Sequence, residues 1–537
     1  MLSRLDPQKK LFAADNNYLN YVGADTFYGF LAKQRHRLFN DDDFAELYCA
    51  NNGRPSVPPS LLAVALLLQA YDKVSDLEAT QRSRFDLRWK VSLGLEIDEN
   101  LFAKSTLQTF RAQLIIHNKV GNLFKASLDQ ARLKGLFGKK RKLKIAVDTT
   151  PIFGKGAVKD TYNLLADGIK QLFGALSRTV NQPVKMLAQE LNYDRYFGSS
   201  IKGESDVDWA DESSKRAFLT SIVGDAERLL DFARVARGML DGSSADDKAI
   251  VDSSEQLCML LLQDVEPVSD DEFGIKRGSV KDRIVSTTDP EMRAGRKSAS
   301  NLFKGHKASI ATETDNGLIT DVDVIAGNAP DNTDVLALVE RSEKNTGVDV
   351  DTTIGDCAYG DGATRQTFAD ADRDLVARVP KRPNRATFPK DDFVIDLEAE
   401  TVTCPAGVTT DKSKLLKSKG QYIQQFRFSA SVCNECTLRS KCTTKSNMKS
   451  YGRTVTLHPQ EALLQKARAF SKTDEYRDCV RRRQVVEHRI ARLIQLGCRQ
   501  SRFFGRLKTK YQLMMAATVA NLTLIMGSPA GMGFSAT

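Results

Sequence analysis

The sequence has no segment of the kind that spans or enters a membrane. Its longest apolar runs, residues 61–70 and 513–526, carry polar interruptions or fall short of the thickness of a bilayer. The first residues lead directly into Lys9 and Lys10 without the apolar stretch of a signal peptide. Repeats of fixed period are absent as well. We therefore expect a soluble, cytoplasmic protein with no membrane contact.

Cysteine is scarce, with nine residues in a chain of 537. Without a secretory signal, these nine residues are interpreted as thiols or metal ligands and not as a disulfide framework. The composition is otherwise ordinary, because 41% hydrophobic and 27% charged residues exclude a fibrous or wholly disordered chain. A chain of this length should form roughly three compact units.

Positive charge exceeds negative charge and is unevenly distributed. The net charge of +10 favours a polyanionic partner only weakly. Residues 132–144 hold seven bases and no acid, residues 477–510 hold eleven bases against two acids, and residues 206–272 hold seventeen acids against six bases. Each basic run alone fits a solvated helix face equally well. Two such runs on either side of a candidate site favour contact with a phosphate backbone.

The apolar pattern predicts that residues 1–135 are helical. A strong helix begins near Ser60, behind two prolines, and another begins at Ser105. Trp89 is interpreted as a core residue of this part of the chain. The pattern therefore predicts an all-α N-terminal domain.

The pattern changes to mixed strands and helices after residue 141. A short alternating strand ends at Asp148, and residues 158–275 then read as a long helical insert without the turn signals of strands. Two further strands form a hairpin around Asn316 and Gly317, since Asn-Gly favours a tight turn. The later elements are a helix to about residue 344, a strand at 350–354, a helix at 363–371 and a strand at 375–379.

Without the insert, the predicted order is βββαβαβ, the order of a ribonuclease-H-like fold. The predicted class is therefore mixed α/β: a ribonuclease-H-like catalytic core with a large helical insertion and a small cysteine-rich zinc insert, preceded by the all-α domain. The predicted boundaries are 1–135 for the N-terminal domain, 141–390 and 450–526 for the catalytic domain, 391–445 for the cysteine-rich insert and 527–537 for a flexible tail.

Three carboxylates occupy positions suited to metal chemistry. Asp148 ends the first strand, Asp356 follows the fourth, and Glu487 lies in an arginine-rich helix. Converging carboxylates suit Mg²⁺ or Mn²⁺, and two such ions can activate an attacking hydroxyl and stabilise the leaving oxygen of a phosphoryl transfer. Taken singly, each aspartate fits a turn or helix cap, and Glu487 fits a surface pair with Arg483. Their joint placement favours a catalytic triad.

These motifs resemble a DDE transposase of a bacterial insertion sequence. The resemblance rests on the helical segment 58–111, on the strand around Asp148, on the loop 327–334 followed by residues 355–360 with Asp356 and Tyr359, and on the closing helix at 513–522. Residues 483–487 are similar to the Arg-x-x-x-Glu signature of that family.

The resemblance implies that Asp148, Asp356 and Glu487 bind two Mg²⁺ or Mn²⁺ ions and that Arg483 contacts DNA phosphate. The family signature often has a tyrosine where this chain has Val480 and a lysine where it has Ile494, so those two phosphate contacts are not carried over. Other basic residues are candidates for DNA contact: Arg482, Arg489, Arg492, Lys139, Lys140, Arg141 and Lys142.

Four cysteines fall within 39 residues: Cys404, Cys433, Cys436 and Cys442. A C-x-x-C pair with two further cysteines is typical of a structural zinc site, and the related transposases have a similar insert. Four unrelated thiols are the alternative, and a redox C-x-x-C is disfavoured because no thioredoxin-like unit surrounds it. The remaining cysteines are expected to be packing residues: Cys49, Cys258, Cys357, Cys479 and Cys498.

The sequence therefore predicts a transposase that binds the ends of its mobile element and carries out metal-dependent cleavage and strand transfer. Double-stranded DNA, both element ends and target, is the expected partner, bound by a homo-oligomer. Two alternatives remain: a ribonuclease-H-like nuclease without joining activity, and a non-catalytic DNA-binding protein derived from a transposase.

Overall fold

The computed structural model describes most of the chain. The described residues are 1–6, 8, 11–49, 53–138, 142–238, 240, 242, 244–278, 280–298, 300–380, 388–418, 420–443 and 449–528. Of the predicted DNA contacts, Lys139, Lys140 and Arg141 lie outside these residues, as does most of the tail predicted at 527–537. In the described ranges, no helix is long and apolar enough to cross a membrane.

The N-terminal part is helical, as predicted. Pro59 stands in the first turn of its central helix, where a missing N–H costs nothing, and residues 59–69 of that helix are all buried. Trp89 is also fully buried, and its indole N–H donates to Asp72 at 2.7 Å. The helices are α1 Ala14–Val22, α2 Phe27–Leu38, a 3-10 helix Asp41–Leu47, α3 Pro59–Asp72, α4 Asp76–Phe85, α5 Leu87–Leu93, α6 Lys104–Ile116 and α7 Val120–Leu133.

The first core strand, β1 (Lys142–Phe153), leads into the insert, which is helical but closes with a hairpin. The prediction of helix through residue 275 was wrong at this end, because Val265 and Phe273 pack against the insert's own core on either side of a turn. The insert contains α8 Thr161–Thr179, α9 Val184–Glu190, α10 Glu212–Arg237, α11 Ala245–Asp264, β2 Val265–Ser269 and β3 Glu272–Ile275.

Strand β1 and the strands that directly follow the insert form one mixed sheet. Its further elements are β4 Arg293–Arg296, β5 Leu302–Glu313, β6 Ile319–Ala326, α12 Val335–Thr346, β7 Asp349–Ile354, α13 Gly362–Asp370 and β8 Asp374–Val376. The strands run in the order β6, β5, β1, β7, β8, and β4 pairs with the first part of β5 on the same edge as β6. β5 is antiparallel to β1 and β6, whereas β7 and β8 are parallel to β1. The chain order of the main elements agrees with the sequence prediction, apart from the short strand β4.

Two small sheets form the cysteine-rich segment, and one short and two long helices complete the fold. The small sheets, β9–β10–β11 and β12–β13–β14, share a core that includes Phe426 and Val402. These elements are β9 Val394–Asp396, β10 Thr401–Thr403, β11 Thr409–Thr410, β12 Ser413–Ser418, β13 Gln421–Arg427, α14 Ala430–Glu435, β14 Thr454–Thr456, α15 Glu461–Phe470, α16 Asp474–Leu493 and α17 Arg506–Gly527.

The last helix joins the N-terminal helices to the sheet. Helix α17 packs against α3, α7 and β6, and the buried residues of these elements form one continuous core. Asn521 of α17 is buried and bonds both backbone groups of Ile319 in β6, at 2.9 and 2.8 Å. Its amide also donates to Ser127 of α7 at 3.3 Å. The two ends of the chain are therefore held against the sheet that carries the candidate site.

Candidate active site

Asp148 lies inside β1 and does not end it. The prediction that the strand stops at this residue was wrong, because β1 continues to Phe153 through Pro151. Proline is tolerated there because β1 pairs with β7 only as far as Ala146, so no ladder partner on that side needs an N–H from Pro151. Asp148 therefore lies just beyond the point where the parallel neighbour of its strand has ended.

Asp356 reaches the same edge of the sheet from β7. Ala146 of β1 pairs with Ile354, the last residue of β7, and Asp148 and Asp356 each follow two residues after this pair. One oxygen of Asp356 accepts the backbone N–H of Ala358 at 2.8 Å and so caps a short 3-10 turn. This pairing register places the two aspartates side by side.

Arg483 connects Asp148 to Glu487 on α16, which packs against β1. Its guanidinium donates to Asp148 Oδ2 at 3.2 Å and to Glu487 Oε1 at 2.8 Å. The side chain of Arg483 is only 22% exposed, whereas that of Glu487 is 56% exposed. The pair of Arg483 with Glu487 is thus real, but it is part of a bridge between two elements and not an isolated surface pair.

The three carboxylates act on one another electrostatically. The pKa of Asp148 is raised to about 6, mainly by burial and also by the nearby charges of Asp356 and Glu487. The N–H of Thr149, which donates to Asp148 Oδ1 at 2.7 Å, and the guanidinium of Arg483 lower the same pKa. Half-buried like charges of this kind favour binding of a cation.

The donor set fits a hard divalent cation in its chemistry. Carboxylate oxygens are the ligands that Mg²⁺ and Mn²⁺ prefer, and a bound cation would favour the ionised form of Asp148, whose pKa burial raises. Within the described ranges, however, no group of three or more His, Cys, Asp or Glu side chains is arranged to hold a metal ion. Arg483 is the cation that bridges Asp148 and Glu487 in this structure.

A second group of side chains lies beside Asp148. The hydroxyl of Thr149 and the ammonium of Lys307 both donate to Asp331 Oδ1 at 2.8 Å. Tyr359, three residues after Asp356, is fully buried. Sequence reasoning assigned no role to these residues, although Asp331 and Tyr359 fall inside the motifs that carry the family resemblance.

Two of the predicted DNA contacts are occupied within the protein. Arg482 forms ion pairs with Asp478 and with Asp315 of the β5–β6 hairpin turn. Lys142, which is exposed, is 3.7 Å from Asp351. These contacts exist without DNA, so the arginine and lysine would have to exchange partners to bind a phosphate.

The other two described candidates lie further along α16. Arg489 is partly buried near Gly317 of the same hairpin turn, and burial together with the charge of Arg492 lowers its pKa. Arg492 makes a long hydrogen bond of 3.4 Å to Gln495. Arg483 is therefore the predicted phosphate contact that the structure places among the carboxylates.

The four clustered cysteines line one cavity of about 30 Å³, next to Phe388 and Phe428. Burial raises the pKa of Cys442, and so do the charges of the other three thiols, whereas Arg453 lowers it. A space of this size holds about one or two small atoms. The thiols are therefore neighbours, although they are not arranged as a closed metal site.

The remaining cysteines do not share one environment. Cys479 and Cys498 are buried, in agreement with a packing role. Cys49, Cys258 and Cys357 are exposed, so the prediction that they pack in a core was wrong. The apolar character of cysteine does not by itself predict burial, because a small thiol is tolerated on the solvent side of a helix or loop.

Comparison with known families found two matches. Residues 403–526 match a model described as a transposase DDE domain, and residues 21–113 match a model described as a transposase domain of the DUF772 type. No curated protein and no solved structure matched. The C-terminal match includes Glu487, Arg483 and the four clustered cysteines.

The C-terminal match is to a transposase DDE domain over part of the chain, and the N-terminal match is to a second transposase domain. Together the two matches support a DDE transposase of an insertion sequence. Such a family implies DNA as the partner, a nuclease or transferase activity, and the use of divalent metal ions.

Proposed function

We propose that this chain is a transposase that binds the ends of its element, cleaves the DNA there and joins the ends to a target. The observation that carries the proposal is the convergence of Asp148, Asp356 and Glu487 at one edge of the sheet, with Arg483 between two of them. The strand order, with β1 central and β5 antiparallel to it, supports a ribonuclease-H-like catalytic core.

In this proposal the three carboxylates hold two divalent cations, Mg²⁺ or Mn²⁺. When bound, such ions activate the attacking oxygen and stabilise the leaving oxygen of a phosphoryl transfer. Asp148 and Asp356 are fixed by β1 and by the capped turn after β7, so their backbone positions are set before substrate arrives. Glu487 is the most exposed of the three and closes the site from α16.

Arg483 is proposed to exchange its carboxylate partners for a DNA phosphate. A guanidinium already beside the site can bind a phosphate with two parallel hydrogen bonds, which fixes the register of the strand. Basic residues on the same helix and around the start of β1 add affinity without reading sequence: Arg482, Arg489, Arg492, Lys139, Lys140, Arg141 and Lys142. A homo-oligomer would bring two element ends together.

The cysteine-rich segment is proposed to hold one structural Zn²⁺. The support is chemical: four thiols line one small cavity, and their mutual repulsion as thiolates would be relieved by a soft divalent cation. The ligands would be Cys404, Cys433, Cys436 and Cys442. Zinc there would stabilise two small sheets whose shared core is slight.

A joining assay tests the proposed function. Labelled duplexes that end in the inverted repeats flanking the coding region are incubated with the protein, Mg²⁺ and a target plasmid. Joined product supports a transposase. Nicked product without joining indicates a nuclease, and a mobility shift without any strand cleavage indicates a DNA-binding protein without catalysis; either result contradicts the proposal.

A further inference from the structure

Tyr359 lies on the short turn that follows Asp356 of the candidate active site. It ends the 3-10 turn that Asp356 caps, and its side chain is 0% exposed. The ring packs directly on Gly355, where an added Cβ would lie 2.8 Å from two ring atoms. The absence of a side chain at Gly355 is therefore what leaves room for the aromatic ring between the strand end and the turn.

The hydroxyl of Tyr359 is buried and has no hydrogen-bond partner among the described residues. Buried polar groups are nearly always paired, so an unpaired one needs an explanation. Packing alone does not provide it, because phenylalanine would fill the same space without burying a hydroxyl. The other fully buried tyrosine, Tyr196 in the insert, donates to Asp225 at 2.6 Å.

The charges around the Tyr359 hydroxyl are those of the candidate site. The negative charges of Asp148, Asp331 and Asp356 act on it, and the positive charge of Arg483 opposes them. Burial and these carboxylates raise the pKa of Tyr359 well above its ordinary value. The phenol therefore keeps its proton and is available only as a hydrogen-bond donor toward a carboxylate.

Asp148 has one oxygen whose partner can change. Its Oδ1 is held by the N–H of Thr149, which belongs to the same strand, whereas its Oδ2 is held by Arg483 from another element. If Arg483 turns to a DNA phosphate, Oδ2 loses that donor. A buried donor nearby would then fix the orientation of the carboxylate.

We propose that Tyr359 is a positioning residue, whose hydroxyl donates to Asp148 when Arg483 leaves it and so orients this carboxylate for a divalent cation. The inference rests on the proposed function, because it assumes that Asp148 is a ligand. Outer partners of metal ligands commonly contribute 10- to 100-fold in affinity or activity. The unpaired hydroxyl in the present structure is then the donor of the cation-bound state.

The test compares Tyr359→Phe with Tyr196→Phe in the full-length protein. Tyr359→Phe should lower the cleavage rate at saturating DNA by about 10-fold or more. Mn²⁺ should raise the unfolding temperature of the wild type and of this variant, and the variant should need a higher Mn²⁺ concentration to reach half of that rise. Its unfolding temperature without cation should stay equal or rise, since no hydrogen bond is lost. Tyr196→Phe should lower that temperature and leave cleavage unchanged.

The outcomes separate the inference from the proposed function. If the wild type cleaves and Tyr359→Phe matches it in rate and in Mn²⁺ titration, the positioning role is wrong and the proposed function stands. If the wild type neither cleaves nor responds to Mn²⁺, the proposed function fails and the role of Tyr359 fails with it. A large fall in the unfolding temperature of Tyr359→Phe without cation would also overturn the inference, because the hydroxyl would then be paired in the resting protein.

Discussion

Replacing Asp148 by asparagine should stabilise the metal-free protein at neutral pH. The folded protein raises the pKa of this carboxyl from 3.8 to about 6, so ionising it costs free energy that the unfolded chain does not pay. Each pKa unit corresponds to about 1.4 kcal/mol, which sets an upper limit of roughly 3 kcal/mol. Asparagine also weakens the contact with Arg483, so we expect a gain of about 1–3 kcal/mol in the free energy of unfolding.

The dependence on pH distinguishes this cause from a packing effect. A raised folded pKa gives stability that is complete below 3.8 and is lost as pH rises through about 6. The advantage of Asp148→Asn should therefore be near zero at pH 4 and largest at pH 8, measured by urea denaturation with a chelator present. Asp351→Asn, at a partly exposed position on β7, is the matched control and should change stability by less than about 0.5 kcal/mol.

If Asp148→Asn differs from the wild type in free energy of unfolding by the same amount at pH 4 and pH 8, the effect does not come from ionisation of Asp148. A loss of stability at pH 8 would show that the ionised pair of Asp148 with Arg483 is stabilising overall, and would refute the reasoning from burial.

Three further predictions concern other parts of the chain. Arg483→Ala should slow cleavage at saturating DNA and make the salt dependence of binding shallower, while Arg482→Ala should alter binding alone. Cleavage rate and DNA affinity are measured over a series of salt concentrations. A wild-type cleavage rate and an unchanged salt dependence for Arg483→Ala would exclude the phosphate contact. Cys436→Ser should lose about one Zn²⁺ per chain by metal analysis, and zinc-free wild type purified without chelator would contradict the site. Asn521→Ala should lower the free energy of unfolding by about 2–4 kcal/mol, because both backbone groups of Ile319 lose their partner; a change below about 0.5 kcal/mol would contradict that role.

Local sequence signals predicted most of the elements around the site. The helix over residues 59–72 follows from the apolar run 61–68 behind two prolines, and the β5–β6 turn follows from Asn316-Gly317, with Gly317 at φ +73°. The position of Asp356 just after a strand was predictable, because the residues of β7 are followed directly by a Gly-Asp pair that begins a turn. These features depend on neighbours in sequence, which a single chain displays directly.

The extent of β1 and the role of the arginines could not be predicted in the same way. Pro151 is an ordinary sign that a strand has ended, and only the early end of β7 makes it acceptable inside β1. Arg482 and Arg483 are adjacent, yet one pairs with a hairpin turn and the other with Asp148. Which arginine enters the site depends on how α16 packs on the sheet, and therefore on residues more than 300 positions away.

The most direct measurement of the central claim is the rate of Mg²⁺-dependent strand cleavage by Asp356→Asn on DNA carrying the element ends. The account predicts a fall of more than about 100-fold, beyond what an outer partner contributes, with DNA binding largely retained. Asp351→Asn, on the strand that precedes Asp356 but paired with Lys142, should cleave at the wild-type rate. Near-normal cleavage by Asp356→Asn would contradict the claim that Asp148, Asp356 and Glu487 form one metal-dependent site.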